Sequence, residues 1–284
     1  MDSFTIPEEF KKSALPLWAG PAPYSLGAAD RDIPTLNVFL PDKPGGPAPA
    51  VIVCPGGGYE MLAFHHEGIA EAGWFQQRGM AAFILKYRLP VHGYRHPVPL
   101  LDAQRAMRLV RSRAAEWNID PARVGVMGFS AGGHLVTTLE THFDSGNPGA
   151  PDPVDRQSCR PDFAVPVYAL ISMKGDLAHR GSLENLLGPK ADPALIENLS
   201  NETQVTPQTP PTLLVHAVDD DVVSIEHSRI MYAALQKAGV STRLDEYPTG
   251  RHGFGFGPCA PQDRIPPGWL DKVGEWLKSQ GFMA

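Results

Sequence analysis

Short runs of apolar, often β-branched residues alternate along this chain with longer segments whose apolar positions recur every three or four residues. Ala50-Val51-Ile52-Val53-Cys54 is apolar throughout and stops at Pro55-Gly56-Gly57-Gly58, the pattern of a strand buried on both faces of a parallel sheet. Segments 36–40, 81–87, 123–127, 163–172, 212–216 and 242–247 read as further strands. Helical spacing appears between them: 67–78 with Gly79 just past its end, 100–117, 134–139, 226–238 closed by Gly239, and 269–277. In 100–117, Ala103, Ala106, Met107, Val110, Ala114 and Trp117 form one apolar stripe. The arginines at 105, 108, 111 and 113 lie mostly off that stripe and read as a solvated face.

Strands and helices in alternation predict an α/β protein with a mainly parallel central sheet and helices on both faces. No repeat or linker divides it, so residues 1–284 read as one domain with an N-terminal extension over 1–34. The stretch from about 174 to 205 breaks the rhythm. It holds helical pieces at 183–187 and 193–199 and no strand, and an insertion at the carboxyl edge of a parallel sheet tends to overlie the site. It reads as a small cap, with a plain surface excursion as the equal alternative.

Composition narrows this picture little. A net charge of −6 with interspersed signs argues against nucleic acid or an anionic membrane as partner. Cys54, Cys159 and Cys259 are sparse and have no metal-like spacing, which suits a reducing compartment. The first residues carry no apolar h-region, so a cytoplasmic location is expected unless a leader was removed. Oligomeric state stays open, with a homo-oligomer among the options.

The chemistry concentrates at Gly128-Phe129-Ser130-Ala131-Gly132-Gly133, a Gly-x-Ser-x-Gly pattern with a strand before it and helix-compatible residues after it. Strand, sharp turn and helix is the setting of a nucleophile elbow, where Cβ-free residues two before and two after the serine let the chain turn. Ser130 then needs a base. Among ten histidines, His252 sits in a glycine-flanked loop just after the last strand, whereas His65 and His66 begin a helix, His134 packs in a first turn, and His216 ends a buried strand. The base needs a carboxylate, and Asp219-Asp220-Asp221 follows the 212–216 strand; three adjacent acids cannot all be buried, so one at most is catalytic. An oxyanion needs backbone donors, one from Ala131 and others from the Pro55–Tyr59 turn. Phosphate cradling by those glycines is disfavoured, because neither a Gly-Lys-Ser/Thr nor a Gly-x-Gly-x-x-Gly pattern is present.

Together with Lys86-Tyr87-Arg88-Leu89-Pro90, Asp102-Ala103-Gln104-Arg105-Ala106, His216-Ala217-Val218-Asp219-Asp220-Asp221 and His252-Gly253-Phe254, these motifs resemble the α/β-hydrolase esterases of acetylxylan esterase-like and bacterial feruloyl-esterase-like type, from about residue 35 onward. The resemblance implies an α/β-hydrolase fold and a cofactor-free, metal-free serine esterase acting on a small-molecule ester. It places the acid on Asp220, with Asp221 less favoured, and the oxyanion donors on Gly57, Gly58 and Ala131. It directs substrate recognition to the loop around Tyr59 and to 174–205. An acetyl ester of a carbohydrate such as a xylo-oligosaccharide is the expected substrate. An aryl formamidase or amidase, a peptidase on the same three residues, and a non-catalytic binding module are the alternatives.

Overall fold

The computed structural model describes residues 5–42 and 45–283. Eight strands form one sheet: β1 (Leu15–Pro16), β2 (Thr35–Phe39), β3 (Ala48–Cys54), β4 (Ala81–Lys86), β5 (Ile119–Phe129), β6 (Ala164–Val167), β7 (Thr212–Ala217) and β8 (Thr242–Tyr247). Their order is β1-β2-β4-β3-β5-β6-β7-β8, antiparallel at β1/β2 and β2/β4 and parallel from β4 onward. The α-helices are α1 (Glu8–Lys12), α2 (Ala70–Gln77), α3 (Val98–Ser112), α4 (Ser130–Thr141), α5 (Arg180–Leu187), α6 (Pro193–Asn198), α7 (Glu226–Lys237) and α8 (Trp269–Ser279).

The all-apolar strands are explained by two cores. Ala50, Ile52 and Cys54 of β3 pack with Ala103, Ala106, Met107 and Val110 of α3 and Leu135 and Leu139 of α4. Val51 and Val53 face the other way, with Trp74 and Phe75 of α2 and Trp269, Val273 and Trp276 of α8. A strand buried on both faces has no polar alternate positions, which is why β3 reads as a continuous hydrophobic run.

Three expectations are corrected. The strand read over 163–172 pairs only at Ala164–Val167, because Tyr168 takes a left-handed φ of 34° and the chain leaves the sheet. The backbone N–H groups of Ile171 and Ser172 then donate to His227 Nδ1 instead of to a neighbouring strand. Helix α3 ends at Ser112, short of Trp117, and the following turns carry Asn118 at a left-handed φ of 51°. Arg105, read as solvated, is buried: it donates to Leu17 O and pairs with Asp152 and Asp155, tying α3 to the strand and loop around it. A buried guanidinium is tolerable only with this full set of acceptors.

The 174–205 stretch supplies α5 and α6 without a strand. It lies against the turn after β3, where Asn185 Nδ2 donates to Gly58 O at 2.8 Å.

Candidate active site

The parallel register brings the carboxyl ends of the central strands together. Cys54 at the end of β3 sits opposite Gly128 of β5, and Ala217 of β7 sits opposite Tyr247 of β8. The turn at Gly56–Gly58, Ser130, Asp220 and His252 therefore all leave the same edge of the sheet.

Ser130 is the first residue of α4 and has a φ of 51°, the strained backbone of a strand-to-helix elbow. Neighbouring backbone forbids side chains around it. A Cβ on Gly128 would lie 2.3 Å from Gly132 O, and one on Gly132 would lie 2.2 Å from Cys54 O. Ser130 Oγ is 2.9 Å from His252 Nε2, and His252 Nδ1 is 2.8 Å from Asp220 Oδ2.

Asp220 is the one member of its acidic run drawn inside, with its side chain out of contact with solvent. Oδ1 accepts the N–H groups of Val222 and Val223, at 2.9 and 2.8 Å. Oδ2 accepts from His252 and, at 3.2 Å, from His216 Nε2. Burial raises the carboxyl's affinity for a proton, but the hydrogen bonds from His216, His252 and Val223 outweigh it and hold the group well below the usual carboxylate range. Asp219 and Asp221 instead engage the exposed Arg251, the first through its backbone N–H and the second through its guanidinium.

His216, near the end of the buried strand β7, is set by the fold against Asp220. Its Nε2 faces two acceptors, Asp220 Oδ2 and Val223 O, so the proton resides there, while Nδ1 accepts from Ser228 Oγ. The four-residue spacing from His216 to Asp220 was visible, but only the fold shows that the turn closes on itself.

The turn after β3 presents backbone. Gly57 has φ 127° and Gly58 φ 64°, and a Cβ on Gly57 would lie 2.4 Å from Met61 O. Gly56 N–H is already committed to Glu67 Oε2 at 2.8 Å. Among the described residues, the N–H groups of Gly57, Gly58 and Ala131 donate to no protein group, and Gly56 packs against Ser130.

Tyr59 is a correction. It was read as substrate-binding, yet its side chain is 1% exposed and turned inward, with the hydroxyl donating to His134 Nδ1 at 2.8 Å. His134 in turn donates from Nε2 to Leu199 O, and burial pushes it down to about 4, so it remains neutral. Glu67 and Tyr168 went unrecognised. Glu67 looked like an ordinary acidic residue in a helix's first turn, and Tyr168 like one more strand residue.

Among the described residues, no group of three or more His, Cys, Asp or Glu is arranged to hold a metal ion, and no helix is long and apolar enough to cross a membrane.

Comparison with known proteins places these features in context. The BD-FAE family model matches residues 36–235. Acetylxylan esterase of Xylanibacter ruminicola is 38% identical over 261 residues, covering 90% of this chain and 50% of that protein. Endo-1,4-beta-xylanase B of Butyrivibrio fibrisolvens is 35% identical, covering 92% of this chain and 40% of that protein. The chain thus spans about half the length or less of these curated relatives. The crystal structure of an acetyl ester-xyloside bifunctional hydrolase from Caldicellulosiruptor lactoaceticus superposes with a TM-score of 0.88 at 42% identity, covering 96% of this chain and 97% of that one.

Proposed function

The chain belongs to the BD-FAE family, and from that premise we propose that it is a serine esterase that removes short acyl groups, acetyl first among them, from carbohydrate esters. The observation that carries this reading is the continuous hydrogen-bonded chain from Ser130 Oγ through His252 to the solvent-shielded Asp220. Similarity to an acetylxylan esterase and to an acetyl ester-xyloside hydrolase supports the substrate class.

The geometry supports a two-step acyl transfer. His252 Nδ1–H is fixed toward Asp220, which leaves Nε2 as the acceptor facing Ser130. Ser130 Oγ attacks the ester carbonyl as its proton passes to Nε2, and the carboxylate stabilises the imidazolium that forms. The carbonyl oxygen becomes an oxyanion held by the N–H groups of Ala131, Gly57 and Gly58, at the positive end of α4. His252 returns the proton to the leaving alcohol. Water then repeats the sequence on the acyl-serine.

The test is Ser130→Ala assayed on p-nitrophenyl acetate and on acetylated xylo-oligosaccharides. The variant should fold and lose roughly 10⁵-fold in kcat. Turnover at the wild-type rate sinks the reading, and a wild-type preference for long acyl chains or formyl aryl amines overturns the substrate class.

A further inference from the structure

We propose that Glu67 is a positioning residue that locks the oxyanion turn and the His252 loop into one geometry; the proposal rests on the esterase reading above. Glu67 lies in a π-helical turn, His65–Ile69, and departs from helical angles with φ −129° and ψ 22°. The kink between two helical pieces at this residue aims its carboxyl group at the core, where Glu67 is 3% exposed.

Each of its oxygens reaches a different part of the site. Oε2 accepts Gly56 N–H at 2.8 Å. Oε1 accepts the Tyr168 hydroxyl at 2.9 Å, and that hydroxyl oxygen accepts Gly255 N–H at 3.1 Å. Gly255 and Phe256 belong to the loop that begins with His252, and Phe256 N–H is held by His66 O at 2.9 Å from the same π-turn. The Tyr168 ring also packs edge-on against His252, with centroids 5.0 Å apart. A Cβ on Gly56 would stand 2.7 Å from Glu67 Oε2 and 3.0 Å from Ser130 Cβ, so the turn is clasped between the carboxylate and the serine.

The chemistry requires a carboxylate. Both neighbours are donors, and only a group with two acceptor oxygens satisfies both. An amide keeps the shape and offers one acceptor, leaving a buried donor facing a donor. The reacting carbonyl must meet the Gly57 and Gly58 donors and the His252–Ser130 pair at once, and misplacement by about 1 Å costs roughly 100-fold in rate.

The test compares Glu67→Gln and Tyr168→Phe in the full chain, on p-nitrophenyl acetate and with phenylboronic acid as a probe that forms a tetrahedral adduct. Glu67→Gln should lower kcat roughly 10- to 100-fold with KM within about 3-fold, because the loss falls on the transition state. The boronate inhibition constant should rise in the same proportion as kcat falls, which a general loss of folded protein does not produce. Tyr168→Phe removes only the arm to Gly255 and should cost roughly 3- to 10-fold, and the double variant should match Glu67→Gln alone. A folded Glu67→Gln with wild-type kcat and boronate affinity overturns the proposal, as do fully multiplicative effects in the double variant. If Glu67→Gln does not fold, Tyr168→Phe decides: wild-type kcat overturns the proposal, and a kcat loss at constant KM upholds it. Failure of the esterase reading looks different, because Ser130→Ala then stays active.

Discussion

Across Ser130, the Asp220–His252 arm is made of side chains, whereas the turn at Gly56–Gly58 is made of backbone. The first arm builds a charge and surrounds it: Asp220 receives four hydrogen bonds and stays ionised inside the protein. The second offers neutral N–H groups, and the carboxyl group of Glu67 lies behind it, holding Gly56 N–H without touching a substrate. A side-chain arm is sensitive to the identity of a residue. A backbone arm is sensitive to shape, and so to any atom added to a glycine.

The largest effect that sharpens this contrast is within the acidic run. Asp220→Asn should lower kcat by roughly 10³- to 10⁴-fold, since an amide misorients the His252 tautomer. Asp221→Asn should stay within about 3-fold of wild type, because its partner Arg251 is exposed and such pairs contribute little. Steady-state kinetics of the two variants decide it, and equal effects would break the assignment.

Next comes the backbone arm. Gly57→Ala adds a methyl 2.4 Å from Met61 O at a φ of 127°. It should cost roughly 100-fold or more in kcat, comparable to losing an oxyanion donor, while the Ser130–His252 pair still reacts slowly with a fluorophosphonate. Wild-type kcat in a folded Gly57→Ala variant would remove the turn from the mechanism.

The side-chain arm was legible in the sequence for a physical reason. Acyl transfer needs a hydroxyl, an imidazole and a carboxylate, few residues supply them, and the sheet fixes where each must fall. Asp220 over its neighbours came from family likeness, and the structure shows why burial of one acid alone is possible: Val222, Val223, His216 and His252 leave no acceptor site empty. The strands β3, β4, β7 and β8 were equally legible, because burial on both faces, or turn signals at their ends, set their bounds. Supporting residues were not. Glu67 depends on a π-turn that leaves no trace in hydrophobic periodicity, Tyr168 on a strand that ends early, and Arg105 on acceptors far along the chain. Tyr59 failed in the opposite sense, since proximity in sequence to the turn says nothing about which way a side chain points.

The smallest effect tests the rule that donors decide whether a buried carboxyl is ionised. Glu140 is as buried as Asp220 but receives one hydrogen bond, from Thr212, and its Oε1 has no partner among the described residues. Burial pushes it up to about 8, with the Thr212 bond only partly opposing the rise. A carboxyl whose affinity for protons is raised by folding contributes stability at low pH and loses it as pH rises from the ordinary range near 4.5 through about 8. Glu140→Gln should therefore melt several degrees higher than wild type at pH 9, close to it at pH 4, and leave kcat unchanged, as thermal melts across pH would register.

The central claim, that acyl transfer runs through Ser130, is tested most directly by mapping a covalent adduct. After brief exposure to a fluorophosphonate, or rapid quenching during p-nitrophenyl acetate turnover, peptide mass spectrometry should find the phosphonyl or acetyl group on Ser130. Activity should fall in step with phosphonylation. A fully active enzyme with Ser130 unmodified, or an adduct on another residue that tracks the loss of activity, would contradict the account.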